Sequence, residues 1–206
     1  MTTASPEKYR LSFTGASLML PEMSALAHAV LRQKEQAIDK TAIIKGQKAK
    51  TINVQFRELQ LRVKCLTTKE LEILALGDTA SQKQIALLGI CKAYSFIRDF
   101  VVEVLREKAQ VFDYQLTEGE YSAFSRRKSA DHPELENITE NTAKKIKQVT
   151  LKILEQTGLL DNIKSKKISP QLIERTVIRA VAEDSAEWLK VFLISDRELA
   201  SANTIA

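Results

Sequence analysis

KGQKAKTINVQFRELQLRVK, residues 45–64, combines two patterns in one short stretch. Ile52, Phe56, Leu59 and Val63 recur at intervals of four, three and four, the spacing of one face of an α-helix. Six basic residues, Lys45, Lys48, Lys50, Arg57, Arg62 and Lys64, stand against a single acid, Glu58. A helix over about 50–65 that buries the apolar stripe carries a second line beside it, Asn53, Arg57, Gln60 and Lys64, at the same intervals. Those residue types suit DNA: Arg bridges two acceptors on guanine, Asn and Gln bridge adenine, and Lys neutralises phosphate. Lys48, Lys50 and Thr51 fall at the helix start, where backbone N–H groups also favour phosphate. The plain alternative is a solvated surface helix that happens to be basic.

Upstream, a helix over about 34–44 turns Ala37, Ile38 and Ile44 inward and stops at Gly46. Helix, short Gly-containing turn and basic helix is the layout of a helix-turn-helix, here over 34–65. Before it, residues 1–10 read as polar and loose, Thr14 or Ser12 as the cap of a short helical segment to Leu20, and Pro21 as the first turn of a helix burying Met23, Leu26, Ala27, Val30 and Leu31. Downstream, Thr67 and Glu70 spell a capping box for a helix ending at Leu76 before Gly77, and Asp78 caps a helix apolar enough on all sides to be central. A helix over 95–111 buries Phe96, Phe100, Val101, Val104, Leu105 and Val111. Its outer line of Arg98, Asp99, Glu103, Arg106, Glu107 and Lys108 reads as a solvated face of i,i+4 pairs.

FDYQL (112–116) breaks the helical run and sets a soft boundary between an N-terminal region, 1–112, and a C-terminal region, 113–206, which also fit one globule. Thr117 and Glu120 spell a second capping box, opening a helix with Tyr121 and Phe124 inward and Arg126, Arg127 and Lys128 at its end. SADHPELEN (129–137) reads as a loop, and Thr139 caps a helix over 140–157 that stops at Gly158. On that helix Asn141, Lys145, Gln148 and Lys152 line up, with Lys144 beside them. Residues 158–169 are either a small hairpin or an irregular loop. As a hairpin they supply the wing of a winged-helix-like unit over 118–169, with Lys164, Lys166 and Lys167 on phosphate. Ser169–Pro170 predicts a helix to about 182, and AEWLKVFLI (186–194) closes the core with Trp188 and Phe192.

Composition supports helices: among 206 residues there are only six Gly and four Pro, with 44% hydrophobic residues. The net charge of +5 is unevenly spread. Residues 45–64, 126–128, 139–152 and 161–167 together carry +13 and leave the rest at −8, a segregated field that attracts polyanions. Cys65 and Cys91 lie in apolar helical patterns and read as buried free thiols of a reducing compartment, consistent with a cytoplasmic protein. The start only loosely mimics a secretory leader, and no apolar run reaches the ~20 residues of a membrane span. His28 and His132 have no partners at ligand or triad spacing, and phosphate-loop, dinucleotide and zinc-protease motifs are missing. The expectation is therefore no catalytic residue, no cofactor, no metal and no small-molecule substrate.

Four stretches, taken in order and spacing, resemble the BrxA family of bacteriophage-exclusion (BREX) systems. They are Thr14-Gly15-Ala16-Ser17-Leu18 with Pro21-Glu22; the Arg57 helix ending Leu61-Arg62-Val63; IRDFVVEVLREK (97–108); and TAKKIKQVTLKILEQTGLL (142–160), with Thr142, Lys144, Gln148, Leu154, Gly158, Leu159 and Leu160 in the family's places. The similarity runs over roughly 11–180. One departure is the turn GQKAK (46–50), where relatives are expected to show a Ser/Arg-rich pattern. The resemblance implies an all-α protein with helix-turn-helix elements that binds double-stranded DNA and serves a multi-protein system that methylates host DNA and blocks phage replication, not an enzyme.

The expectation is a compact all-α globule with two helix-turn-helix units. Phosphate contacts of low sequence preference run through Lys48, Lys50, Asn53, Arg57, Gln60 and Lys64. A second set runs through Arg126, Arg127, Lys128, Asn141, Lys144, Lys145, Gln148, Lys152, Lys164, Lys166 and Lys167. The rival is a protein–protein adaptor that docks onto the methyltransferase or other subunits, with Trp188 and Phe192 as an apolar anchor.

Overall fold

A computed structural model describes residues 8–32, 38–45 and 48–202. The fold is all-α. Helix α1 (Leu20–Arg32) is followed by the single turn α2 (Lys40–Ile43), then α3 (Ala49–Lys64), α4 (Thr68–Leu76) and α5 (Thr79–Ala93). Next, α6 (Ser95–Phe100), a π-helical stretch (Val101–Arg106) and α7 (Glu107–Gln110) run on as one rod. The second half holds α8 (Glu118–Asp131), the short α9 (Pro133–Glu136), α10 (Glu140–Thr157) and α11 (Arg175–Ser185). A 3₁₀ helix (Ala186–Phe192) and α12 (Asp196–Ala202) complete it.

α5 is the central element. Every residue from Gln84 to Cys91 is buried, and α1, α3, α4, α6, α10 and α11 all pack on it. Its start is fixed by the Asp78 carboxylate, which accepts from the Ala80 and Ser81 N–H groups at 2.8 and 3.1 Å. The capping boxes Thr67–Glu70 and Thr117–Glu120 are both formed, each carboxylate returning to the cap residue's own N–H. Thr139 caps α10 through Thr142 N–H, and α10 ends at Gly158, whose φ of +88° is the left-handed conformation a glycine tolerates.

Of the stretch 1–10, expected to be loose, residues 1–7 lie outside the described residues, and Tyr9 is buried. A 3₁₀ turn at Ser12–Gly15 carries no side-chain cap: Ser12 reaches across to Glu58 and Thr14 bonds back to the Leu11 carbonyl. Gly15 is needed where this turn lies on α3, since a Cβ there would sit 2.9 Å from Val54 Cγ1. Of the first helix-turn-helix unit, residues 38–45 and 48 are described before α3, with Lys40–Ile43 helical; Ala37 and Gly46 lie outside the described residues.

Three further expectations change. The outer line of 95–111 is solvated only in part: Glu103 and Glu107 are exposed, but Arg106 and Lys108 are buried, Arg106 donating to the Ile194 carbonyl (2.8 Å) and to Asp196 (2.7 Å), and Lys108 clamped by Asp113 and Glu120. Val111 and Phe112, by contrast, are exposed, and Phe112 ends the rod in a left-handed turn (φ 60°). The helix foreseen from Pro170 begins only at Arg175. Tertiary partners hold the segment before it extended: Gln171 Nε2 donates to the Thr157 carbonyl (2.7 Å), and Gln84 Nε2 donates to the Leu172 carbonyl (3.0 Å). The loop 129–137 is mostly helical, because α8 runs to Asp131 and Pro133 opens α9.

Residues 158–169 form the small hairpin. Leu160 pairs antiparallel with Ile168, and Lys167 pairs with Gln115 from the connection before α8. Asn162 Oδ1 accepts from the Lys164 and Ser165 N–H groups, both at 2.9 Å, and this closes the tip. Cys91 is buried, Cys65 half-buried, and both are free.

Candidate nucleic-acid interface

α3 buries Ile52, Phe56, Leu59 and Val63, as its spacing requires. It also buries its neighbours Glu58 and Arg62, which are 2% and 0% exposed. Glu58 accepts from Ser12 Oγ at 2.9 Å and from the Tyr94 hydroxyl at 2.7 Å. Arg62 donates to the carbonyls of Ala16 (2.6 Å), Ser17 (2.5 Å) and Leu18 (3.4 Å), and through Nε to Tyr94 (3.3 Å). Burial pushes the Tyr94 hydroxyl above its ordinary value, against the pull of the Arg62 charge, so it stays a donor to Glu58. The opposite charges of Arg62 and Glu58 thus meet through Tyr94 inside the protein.

The outward face of α3 holds what remains: Lys48, Lys50, Asn53, Arg57 and Lys64 exposed, Gln60 half-buried, and no acid. Arg57 is 72% exposed and its nearest carboxylate, Glu58, is 3.5 Å away. Asn53 accepts from Lys40 Nζ at 2.5 Å, which brings one more cation to the line. Lys48 provides no side-chain cap for the first turn of α3, whose N–H groups are of the kind that favour an anion. Arg57, Gln60, Leu61 and Lys64 border a groove of about 440 Å³ whose far wall is Arg10 and Ser12. Arg10 carries no mark in the helical pattern; it comes to α3 only because Tyr9 and Ser12 on either side are anchored.

The second set is more divided. Arg126, Asn141, Lys145, Gln148 and Lys164 are exposed and engage no carboxylate among the described residues, while Lys167, also exposed, donates its N–H to Asp161 Oδ1 at 2.8 Å. Lys144 and Lys152 are also exposed but pair along their own helix, with Glu140 (2.6 Å) and Glu155 (2.5 Å). Lys166 reaches Glu118 at 2.7 Å, beside Lys147 on the same carboxylate. These hydrogen bonds, Lys147 first, hold Glu118 below the usual carboxylate range. Arg127 and Lys128 turn back to the rod: Arg127 to Glu103 (2.8 Å), and Lys128 to Glu103 (2.5 Å) and Asp99 (3.0 Å). Burial alone would raise the Asp99 carboxyl, but hydrogen bonds from Tyr9 and Lys128 and the Arg98 charge outweigh it and hold Asp99 low. Lys128 therefore joins α8 to the rod rather than facing solvent.

His132 has a partner that spacing did not reveal: Nδ1 lies 3.1 Å from Glu134, and the ring stacks on Tyr9 at 3.7 Å. Among the described residues no His, Cys, Asp and Glu cluster suits a metal, and no helix is long and apolar enough to cross a membrane.

A crystal structure described as an uncharacterized protein from Magnetospirillum magneticum shares the fold. The TM-score is 0.77 over 91% of this chain and 98% of that one, at 18% identity. A protein named BREX protein BrxA, from Bacillus cereus (strain H3081.97), is 28% identical over 121 residues, 58% of this chain. The matched stretch spans 60% of that relative's own length. The family model described as BrxA matches residues 7–185, from the Tyr9 anchor through α11, and the chain therefore belongs to the BrxA family.

Proposed function

We propose that this protein is a non-enzymatic component of a BREX phage-defence system that binds duplex DNA, mainly through phosphates. The observation that carries this reading is the sorting of charge on α3. Its one acid is buried and occupied, while Lys48, Lys50, Arg57 and Lys64 stand exposed beside Asn53 and Gln60. A single-sign face with amides interleaved suits a backbone with base edges beyond it. The name of the Bacillus relative supports membership of a BREX system, and other subunits of that system are the natural protein partners.

In this reading α8, α10 and the hairpin form the second, winged-helix-like unit. Arg126, Asn141, Lys145, Gln148, Lys164 and Lys167 contribute directly. Lys144 and Lys152 exchange weak exposed pairs for phosphates. Arg127, Lys128 and Lys166 position the unit from their internal carboxylates. The adaptor reading finds less support, since Phe192 is in the core and the half-buried Trp188 ring is faced by Lys92 at 5.7 Å.

The test is titration of labelled duplex with the R57E/K64E double variant. Both residues are exposed, so the fold should persist while affinity falls at least about tenfold. The dependence of log K on log salt should also flatten by about two phosphate contacts. Unchanged binding by the folded variant would remove α3 from the interface.

A further inference from the structure

The groove beside α3 has a second wall that helical periodicity cannot supply, and it makes the surface more specific than a basic face. Arg57 and Lys64 are two turns apart, about 10 Å along the helix axis, yet both border the groove that Arg10 closes from the other side. Three cations thus converge from two separate segments. Among the described residues the one carboxylate on the lining is Glu58, which is buried, bonded to Ser12 and Tyr94, and 3.5 Å from the Arg57 guanidinium.

Arg10 is exposed, but its backbone is fixed on both sides. On one side, the Tyr9 N–H donates to Glu134 Oε1 (2.5 Å) and the hydroxyl to Asp99 Oδ2 (2.6 Å). The Tyr9 ring lies on His132 and meets Phe96 edge-on at 5.5 Å. On the other side, Ser12 is tied to Glu58, and Arg62 grips the carbonyls of Ala16, Ser17 and Leu18. With the segment already pinned, only the Arg10 side chain has to be ordered on meeting an anion.

Resting on the reading of α3 as a DNA-contacting surface, we propose that Arg10, Arg57 and Lys64 form a cradle for one backbone phosphate of the duplex. The Gln60 amide supplies a neutral hydrogen bond. The half-buried Leu61 forms an apolar wall for the adjoining sugar, for which a groove of about 440 Å³ leaves room. Arg10 is the residue that turns a helix face into a site.

The experiment is anisotropy titration of a labelled duplex at low salt with the full chain and its Arg10→Ala, Arg57→Ala and double variants, with Arg175→Ala as an exposed-charge control on α11. Arg10→Ala should weaken binding at least about fivefold and reduce the salt slope by about one contact. Arg10→Lys should recover part of the loss. The double variant should lose less than the product of the single losses, because both side chains hold the same phosphate. If R57E/K64E abolishes binding but Arg10→Ala binds like the unaltered chain, the cradle is wrong and the α3 interface stands. The cradle is also wrong if the Arg10 and Arg57 losses multiply independently, or if Arg175→Ala loses as much. If the unaltered chain binds no duplex at low salt, the DNA-binding reading and the cradle fail together.

Discussion

Arg57 and Arg62 lie five positions apart on α3, one 72% exposed and the other not at all. Arg62 holds the Ala16–Leu18 carbonyls and the Tyr94 hydroxyl, and balances the buried Glu58 through that hydroxyl. Replacing it with alanine leaves the buried Glu58 with only the exposed Arg57 as a cation nearby, at 3.5 Å, and three carbonyls without their donor. A loss of about 3–5 kcal/mol is expected for Arg62→Ala, measured by urea denaturation, whereas Arg57→Ala should leave stability within about 0.5 kcal/mol. The residue pattern puts Arg57 on the outer line and leaves Arg62 off it, but it does not show that Arg62 is buried. The stripe Ile52–Phe56–Leu59–Val63 was legible, but Glu58 and Arg62 flank it by one position and are buried only because the segment Ser12–Leu18 folds over that side of the helix. That contact joins residues more than forty apart in sequence, and periodicity is blind to it. The same blindness hid Arg10.

Elements announced themselves best where their ends are local chemistry. Thr67, Asp78, Thr117 and Thr139 all cap as their spacing to Glu or to the first-turn N–H groups implies, and α10 stops at Gly158. Thr67→Ala and Thr117→Ala should each cost about 1 kcal/mol, readable as a lowered denaturation midpoint with an unchanged slope. Where an element's limit is set by distant partners, the sequence misleads. Ser169–Pro170 is a sound start signal, yet α11 begins at Arg175 because Gln171 and Leu172 serve Thr157 and Gln84 instead of a helix. The rod from Ser95 to Gln110 was recognised as helix, but its π-helical middle shifts the register, and Arg106 and Lys108 are buried instead of solvated. Charge lines drawn at ideal 3.6 spacing do not survive such a stretch.

At the scale of the molecule, positive charge was foreseen to be segregated, and the structure sorts it further. Lys48, Lys50, Arg57 and Lys64 at α3 stay exposed, Arg57 3.5 Å from Glu58, while α8 spends Arg127 and Lys128 on Glu103 and Asp99. Those internal pairs give stability an acid limit. Asp99, Glu118, Glu120 and Glu134 are all held below their ordinary carboxyl values of 3.8 and 4.5. A depressed folded-state pKa means the unfolded chain takes up protons first as pH falls. The stabilisation is whole above about pH 5 and drains away through and below pH 4. Thermal midpoints should therefore be level from neutral pH to about pH 5 and drop steeply below pH 4; a level profile down to pH 3 would mean the pairs contribute nothing. The halves on either side of residues 112–116 are also joined far from that connection, among other places where the Tyr9 N–H reaches Glu134 and the Leu18 N–H reaches Gln156 at 3.0 Å. A protease that severed the exposed Val111–Phe112 corner would thus produce a nicked pair of fragments still clasping each other, with the groove's three cations, all on the first fragment, held in register by the second.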